Sequence, residues 1–115
     1  MTTDHTAHRL MVIIDEDAVF GHKPMYKEIV RRAHESGLAG ASVFRGIEGF
    51  GSSGRVHTNR ILSLTASLPA MVIIIDSAEK ITGFLAQLED MQVRGVVAID
   101  EVEIVRPGHL PGAAQ

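Results

Sequence analysis

The residues best placed for chemistry fall in one stretch, G-L-A-G-A-S-V-F-R-G-I-E-G-F-G-S-S-G from Gly37 to Gly54, with Arg55 and His57 just beyond it. Glycine gives up side-chain burial and costs conformational entropy, so a cluster of this density marks backbone held at positive φ or brought close to a ligand. Arg45, Gly46, Glu48, Gly49, Gly51, Ser52, Ser53, Arg55 and His57 form the candidate effector-binding set. Backbone N–H groups of such a loop and the two serine hydroxyls can make a nest for phosphate oxygens. Arg45 or Arg55 would be a charge-assisted clamp, because the guanidinium fork matches phosphate geometry. The bland alternative is a flexible hairpin whose arginines are solvated or paired with Glu48.

Other chemistries find less support. Gly49-Phe50-Gly51-Ser52-Ser53-Gly54 is a literal G-x-G-x-x-G, but a dinucleotide fingerprint also needs a following helix, parallel strands and a downstream acid. The continuation R-V-H-T-N-R-I-L reads as turn and strand, and no G-K-[ST] makes a Walker loop. His57 beside Arg55 has the titration range of a general acid–base, yet no nucleophile or orienting carboxylate stands next to it, so no catalytic residue is assigned. The remaining histidines, His5, His8, His22, His34 and His109, show no ligand spacing, and no metal site is assigned. Asp15, Glu16 and Asp17 could suit a metal or a ligand amine, although turn acids are mostly solvated. Lys23 could add a cation before the first helix. Phe50 could stack on a base, but an apolar anchor against a neighbouring subunit fits an isolated aromatic better.

The elements that must position this stretch follow from periodicity. Arg9 to Asp15, R-L-M-V-I-I-D, reads as a first strand. Pro24 suits the first turn of a helix whose stripe is Met25, Ile29, Val30 and Ala33, with Lys27, Glu28, Arg31, Arg32 and Glu35 facing away, and Gly37 stops it. Ala41 to Ile47 reads as a second strand and Ala70 to Ile75 as a third. Asp76 with Glu79 resembles a capping box, with Asp76 as N-cap of a helix carrying Ile81, Phe84, Leu85, Leu88 and Met91. Gly95 ends that connection, and Val96 to Val105 is the last strand.

The order β-α-β-β-α-β predicts an α+β, ferredoxin-like sandwich: a four-stranded antiparallel sheet with two helices on one face. Leu10 to Ile14 and Met71 to Ile75 are apolar at every position, whereas a sheet with one wet face alternates. Both faces should therefore be covered, one by the helices and the other by another subunit.

Length and composition set the bounds. The chain has 115 residues, 45% hydrophobic and 22% charged, enough for one domain and too little for two. Residues 9–106 are expected to form it, between mobile ends at 1–8 and 107–115. With Cys 0, thiolate catalysis, disulfides and cysteine zinc sites are excluded. No signal-peptide pattern or membrane-length apolar run is present, so a cytoplasmic protein without direct membrane insertion is expected. The net charge of -3 argues against a nucleic-acid partner.

The segments R-L-M-V-I-I-D-E, Y-K-E-I-V-R-R-A, G-L-A-G-A-S-V-F-R-G-I-E-G-F-G and L-P-A-M-V-I-I-I-D resemble the bacterial family called domain of unknown function 190, over about Arg9 to Arg106. R-G-I-E-G-F-G at Arg45 to Gly51 is the most specific part. That family resembles the PII-like signalling proteins, ferredoxin-like trimers whose clefts bind small effectors, commonly adenine nucleotides. The resemblance implies a homotrimeric, non-enzymatic regulator needing no cofactor, with an adenine nucleotide as effector. It places the ligand- and partner-contacting loop at Gly46 to about Leu68. Members are often encoded beside fluoride-exporter-like membrane proteins, which implies a membrane transporter or channel as partner. The chain lacks the loop tyrosine and the T-G-x-x-G-D-G-K phosphate loop of better-known PII proteins, so their nucleotide contacts do not transfer residue by residue. The alternatives are a constitutive structural interaction module and, third, a small enzyme using His57.

Overall fold

Alternating aliphatic residues at Leu10, Val12 and Ile14 and at Val72 and Ile74 supply one wholly buried sheet face, and the apolar stripes of two helices pack onto it. The computed structural model describes residues 6–50, 56–58 and 68–105, the middle group in backbone only. In chain order the elements are β1 (Thr6–Asp15), β2 (Val19–Phe20), β3 (Lys23–Pro24), α1 (Met25–Glu35), β4 (Ser42–Arg45), β5 (Glu48–Phe50), β6 (Val56–Thr58), β7 (Pro69–Asp76), α2 (Ala78–Asp90) and β8 (Val96–Glu103).

The main sheet has four strands in the order β4-β7-β1-β8, every neighbouring pair antiparallel. Leu10 pairs with Ile74 on one side and Ile99 on the other, which fixes the register. Met25, Ile29 and Ala33 of α1, and Ile81, Phe84 and Leu88 of α2, close over the inner face. Fully burying side chains of this size stabilises by roughly 1.5–3 kcal/mol each, so this layer is the main source of stability. The α+β ferredoxin-like expectation is met.

The opposite face carries Met11 and Ile13 of β1, Met71, Ile73 and Ile75 of β7, Phe44 of β4, and Val96 and Ala98 of β8, as cross-strand register requires. No element of the described chain covers it: Phe44 is 52% exposed and Val96 57%. Both helices lie on the same side, as expected, and the second face is the one the sequence reading assigned to another subunit. At the margin of the open face Arg9 grips Asp100 through Nε and Nη2, at 3.0 and 2.6 Å, and the guanidinium holds the Asp100 carboxyl below its ordinary range.

Local differences from the sequence reading have identifiable causes. β1 begins at Thr6, because Thr6–His8 continue the ladder to Val102 and its neighbours on β8. The tail expected at 107–115 lies outside the described residues. β4 is shorter than Ala41–Ile47, and β8 stops at Glu103. The N-cap of α2 is Ser77, whose hydroxyl accepts from the Lys80 N–H; Asp76 instead accepts from the Ser77 and Ala39 N–H groups and so ties the α1–β4 connection to the head of α2. Glu28, expected to face away, is 3% exposed, drawn inward by Arg31 and Arg32. Gly37, at φ +77, does stop α1, and Leu38 N–H closes onto the Ala33 carbonyl. Gly95 is sterically required: a Cβ there would lie 2.1 Å from the Ile13 carbonyl oxygen.

Candidate functional site

Antiparallel pairing brings four strand ends to one end of the sheet. Asp15 at the end of β1 faces Pro69 at the start of β7, Arg45 at the end of β4 faces Ala70, and Ile13 faces Val96 at the start of β8. The glycine-rich stretch leaves the sheet here.

Its base is built where β4, β7 and the turn after β1 meet. The Gly46 N–H donates to the Pro69 carbonyl at 2.7 Å, and a Cβ on Gly46 would sit 2.5 Å from the Pro69 ring. Only glycine lets the outgoing chain lie this close to the returning one. Gly49 is less constrained, since its Cβ would meet the same ring at 3.4 Å, close to ordinary contact. Arg45 Nη2 lies 2.7 Å from Glu16 Oε2, with the arginine side chain 64% exposed and the glutamate 23%. The Glu16 N–H donates to the Leu68 carbonyl at 2.8 Å, which holds that carboxylate at the mouth of the stretch.

Beyond the base, β5 and β6 form a two-stranded antiparallel ribbon. Glu48 faces Thr58, Gly49 faces His57 and Phe50 faces Val56. Ile47 and Phe50 are 75% and 71% exposed. Of the residues singled out from the sequence, Arg45, Gly46, Glu48 and Gly49 are therefore brought together with the backbone of His57, and Gly51, Ser52, Ser53 and Arg55 lie outside the described residues. Arg45 pairs with Glu16, not with Glu48. Glu16 is the residue at this base that the sequence reading did not connect to Arg45: it belongs to a recognisable acidic turn, but its partner comes from another strand.

An open cavity of about 350 Å³ lies at the same end on the helix side, between Phe20 and Gly21 of the β2–β3 hairpin and Asp90 at the end of α2 with Gln92 and Arg94 beyond it. Nearby, Arg32 Nη1 donates to Asp90 at 3.1 Å, and the guanidinium carbon stands 5.1 Å from the centre of the Phe20 ring. Among the described residues no three His, Cys, Asp or Glu side chains group as a metal site. None of their helices is long and apolar enough to cross a membrane. What the described part of the site presents is an exposed guanidinium held by a single carboxylate.

Four antiparallel strands in this order, two helices on one face and a ribbon rising between the two middle strands of the chain define a PII-like, ferredoxin-type fold. Solved structures agree. The chain superposes with a TM-score of 0.63 on CPII, a nitrogen regulatory PII-like protein from Thiomonas intermedia K12 bound to ADP, AMP and bicarbonate, at 19% identity over 90% of this chain and 92% of that one. A putative PII-like signalling protein from Thermus thermophilus gives a TM-score of 0.63 at 17% identity, over 90% and 93% of the two chains. The chain belongs to the DUF190 family, described as "Uncharacterized ACR, COG1993", whose model matches residues 7–104. A UPF0166 protein of Aquifex aeolicus is 38% identical over 96 residues, 84% of this chain and 90% of the relative.

Proposed function

We propose that this protein is a PII-like regulator, a homotrimer that binds a phosphate-bearing effector, an adenine nucleotide, at its subunit clefts and signals through residues 46–68. The observation that carries the reading is the Arg45–Glu16 pair at the base of that segment. An exposed cation held by one carboxylate can exchange that partner for a phosphate, which accepts the guanidinium fork equally well and brings more charge. Gly49, Gly51, Ser52, Ser53, Arg55 and His57 supply further donors to the same anion. The ADP and AMP in the structure of CPII support the choice of nucleotide.

The mechanism is a shift between two arrangements of one segment. Effector phosphate draws Arg45 from Glu16, and the segment takes the arrangement that binds phosphate better; an effector with equal affinity for both would shift nothing. The partner reads that change, and a membrane transporter or channel is the partner class. The protein binds and reports, and it turns nothing over.

Calorimetric titration with ATP, ADP, AMP and cyclic AMP, with oligomer mass measured on the same samples, tests this directly. Saturable binding tied to the subunit is expected. Arg45→Ala should weaken it by roughly 10- to 100-fold, the worth of a hydrogen bond to a charged group, while the mass stays unchanged. No binding by any of the four overturns the effector reading and leaves a constitutive docking module.

A further inference from the structure

The cavity of about 350 Å³ on the helix side opens to the surface, yet its floor belongs to the core. Ile14, Met25 and Met91 line it and are buried members of the main apolar layer. Two of the three are methionines, whose unbranched, polarisable thioethers adapt to a flat ring and make favourable contact with it. Phe20 adds an aromatic ring to the lining. The volume lies at the low end of the range for small-molecule sites, about 300–1,000 Å³.

One side chain sets the two sides of the cavity relative to each other. Arg32 donates to Asp90 at the end of α2, its guanidinium carbon stands 5.1 Å from the centre of the Phe20 ring on the hairpin, and its Nε donates to buried Glu28 at 2.9 Å. The site is therefore formed before a ligand arrives, and little freedom is lost in ordering it on binding. Among the described residues that line the cavity, Asp90 is the one carboxylate and Arg94 the one cation. Asp90 is already paired with Arg32, whereas no ion pair among the described residues includes Arg94. The complement that remains is an anionic group.

Gln92, on the same side as Arg94, points the same way. It follows the last turn of α2 at φ +56, a left-handed position at which glycine is preferred; its N–H donates to the Glu89 carbonyl, and the Val93 N–H donates to the Leu88 carbonyl. Residues held in such backbone conformations cluster at ligand sites. Glycine would suit the turn better, but glutamine adds an amide donor to the cavity lining. The same backbone bonds occupy the last carbonyls of α2, which weakens the repulsion that a helix C-terminus exerts on an anion.

We infer that this cavity binds a planar aromatic anion, its ring against Met25, Met91 and Phe20 and its carboxylate or phosphate on Arg94 and Gln92. Neither Arg45 nor Glu16 lines the cavity. It is a second site, separate from the one at the base of residues 46–68, and it stands whether or not that site takes a nucleotide.

Indole-3-acetate and AMP carry this chemistry in two forms, an aromatic carboxylate and a nucleotide. The chain has Trp 0, so the fluorescence anisotropy of indole-3-acetate follows its binding without an indole background from the protein. Saturable binding is expected, weakened by roughly 10- to 100-fold in Arg94→Gln, the worth of a hydrogen bond to a charged group. Gln92→Gly should weaken it as well while raising the denaturation midpoint, a combination that a merely structural residue would not give. AMP that displaces the indole from the wild type and loses affinity in Arg94→Gln assigns the cavity to nucleotides; AMP that does neither, beside bound indole-3-acetate, assigns it to aromatic carboxylates. Indole-3-acetate binding that neither substitution alters overturns the inference. So does the absence of saturable indole-3-acetate binding together with AMP binding that Arg94→Gln leaves unchanged or no AMP binding at all.

Discussion

Glu28 shows how much one side chain can organise. Its carboxylate accepts from Arg31 Nη2 at 2.6 Å and Nε at 3.1 Å, and from Arg32 Nε at 2.9 Å, and Arg32 passes the link to Asp90 on α2. Hydrogen bonds from Arg31, then Arg32, lower the Glu28 pKa from 4.5 to about 2. A carboxyl whose folded pKa is depressed contributes stability that is fully present above its unfolded pKa and lost as pH falls through the folded one. Glu28→Gln should therefore be less stable than wild type at neutral pH, with the gap narrowing from about pH 5 toward pH 2. Denaturant melts of both proteins across that range would show it, and a gap independent of pH would mean that Glu28 acts through packing. The stripe pattern of α1 missed this residue because a buried acid is invisible to hydrophobic periodicity; the i,i+3 and i,i+4 arginines were the available signal.

At the scale of elements, most of what was legible was local. The continuous apolar runs of β1 and β7 and the stripes of both helices placed these elements to within a few residues, and the glycine stops at Gly37 and Gly95 held. The cap of α2 was misplaced by one residue, because Asp76 is recruited by the distant Ala39 N–H and Ser77 takes its role. Ser77→Ala should cost about 1 kcal/mol, measured by chemical denaturation, with the fold retained. A cost near zero would mean that Asp76 caps the helix after all. The ribbon of β5 and β6 was only loosely anticipated, as glycine-rich sequence carries no strand periodicity.

At the scale of the whole molecule there is an imbalance: two helices cover one sheet face, and no described element covers the other, which is apolar. Contiguous exposed patches of this kind mark association surfaces. If the proposed trimer buries this face, Phe44→Asp combined with Ile13→Asp puts unpaired charges into the contact, and should convert the trimer to monomers with an unchanged far-UV circular dichroism spectrum. Light scattering on purified protein decides it; an unchanged mass would move the interface elsewhere. The continuous apolar runs in β1 and β7 had already pointed to a second face that the chain's own helices leave for another subunit.

Turn chemistry and side-chain periodicity act over a few neighbouring residues, so the element order, the two helix faces and the glycine-rich departure after Arg45 could be read from the chain alone, and the family from the resemblance of segments such as R-G-I-E-G-F-G. Only the tertiary structure decided that Arg45 meets Glu16, that Asp76 reaches Ala39, and that β4 and β8 are the two edges. Those facts depend on strand order and register, which bring distant residues together through the burial of a shared core. No local pattern encodes which partner that burial will select.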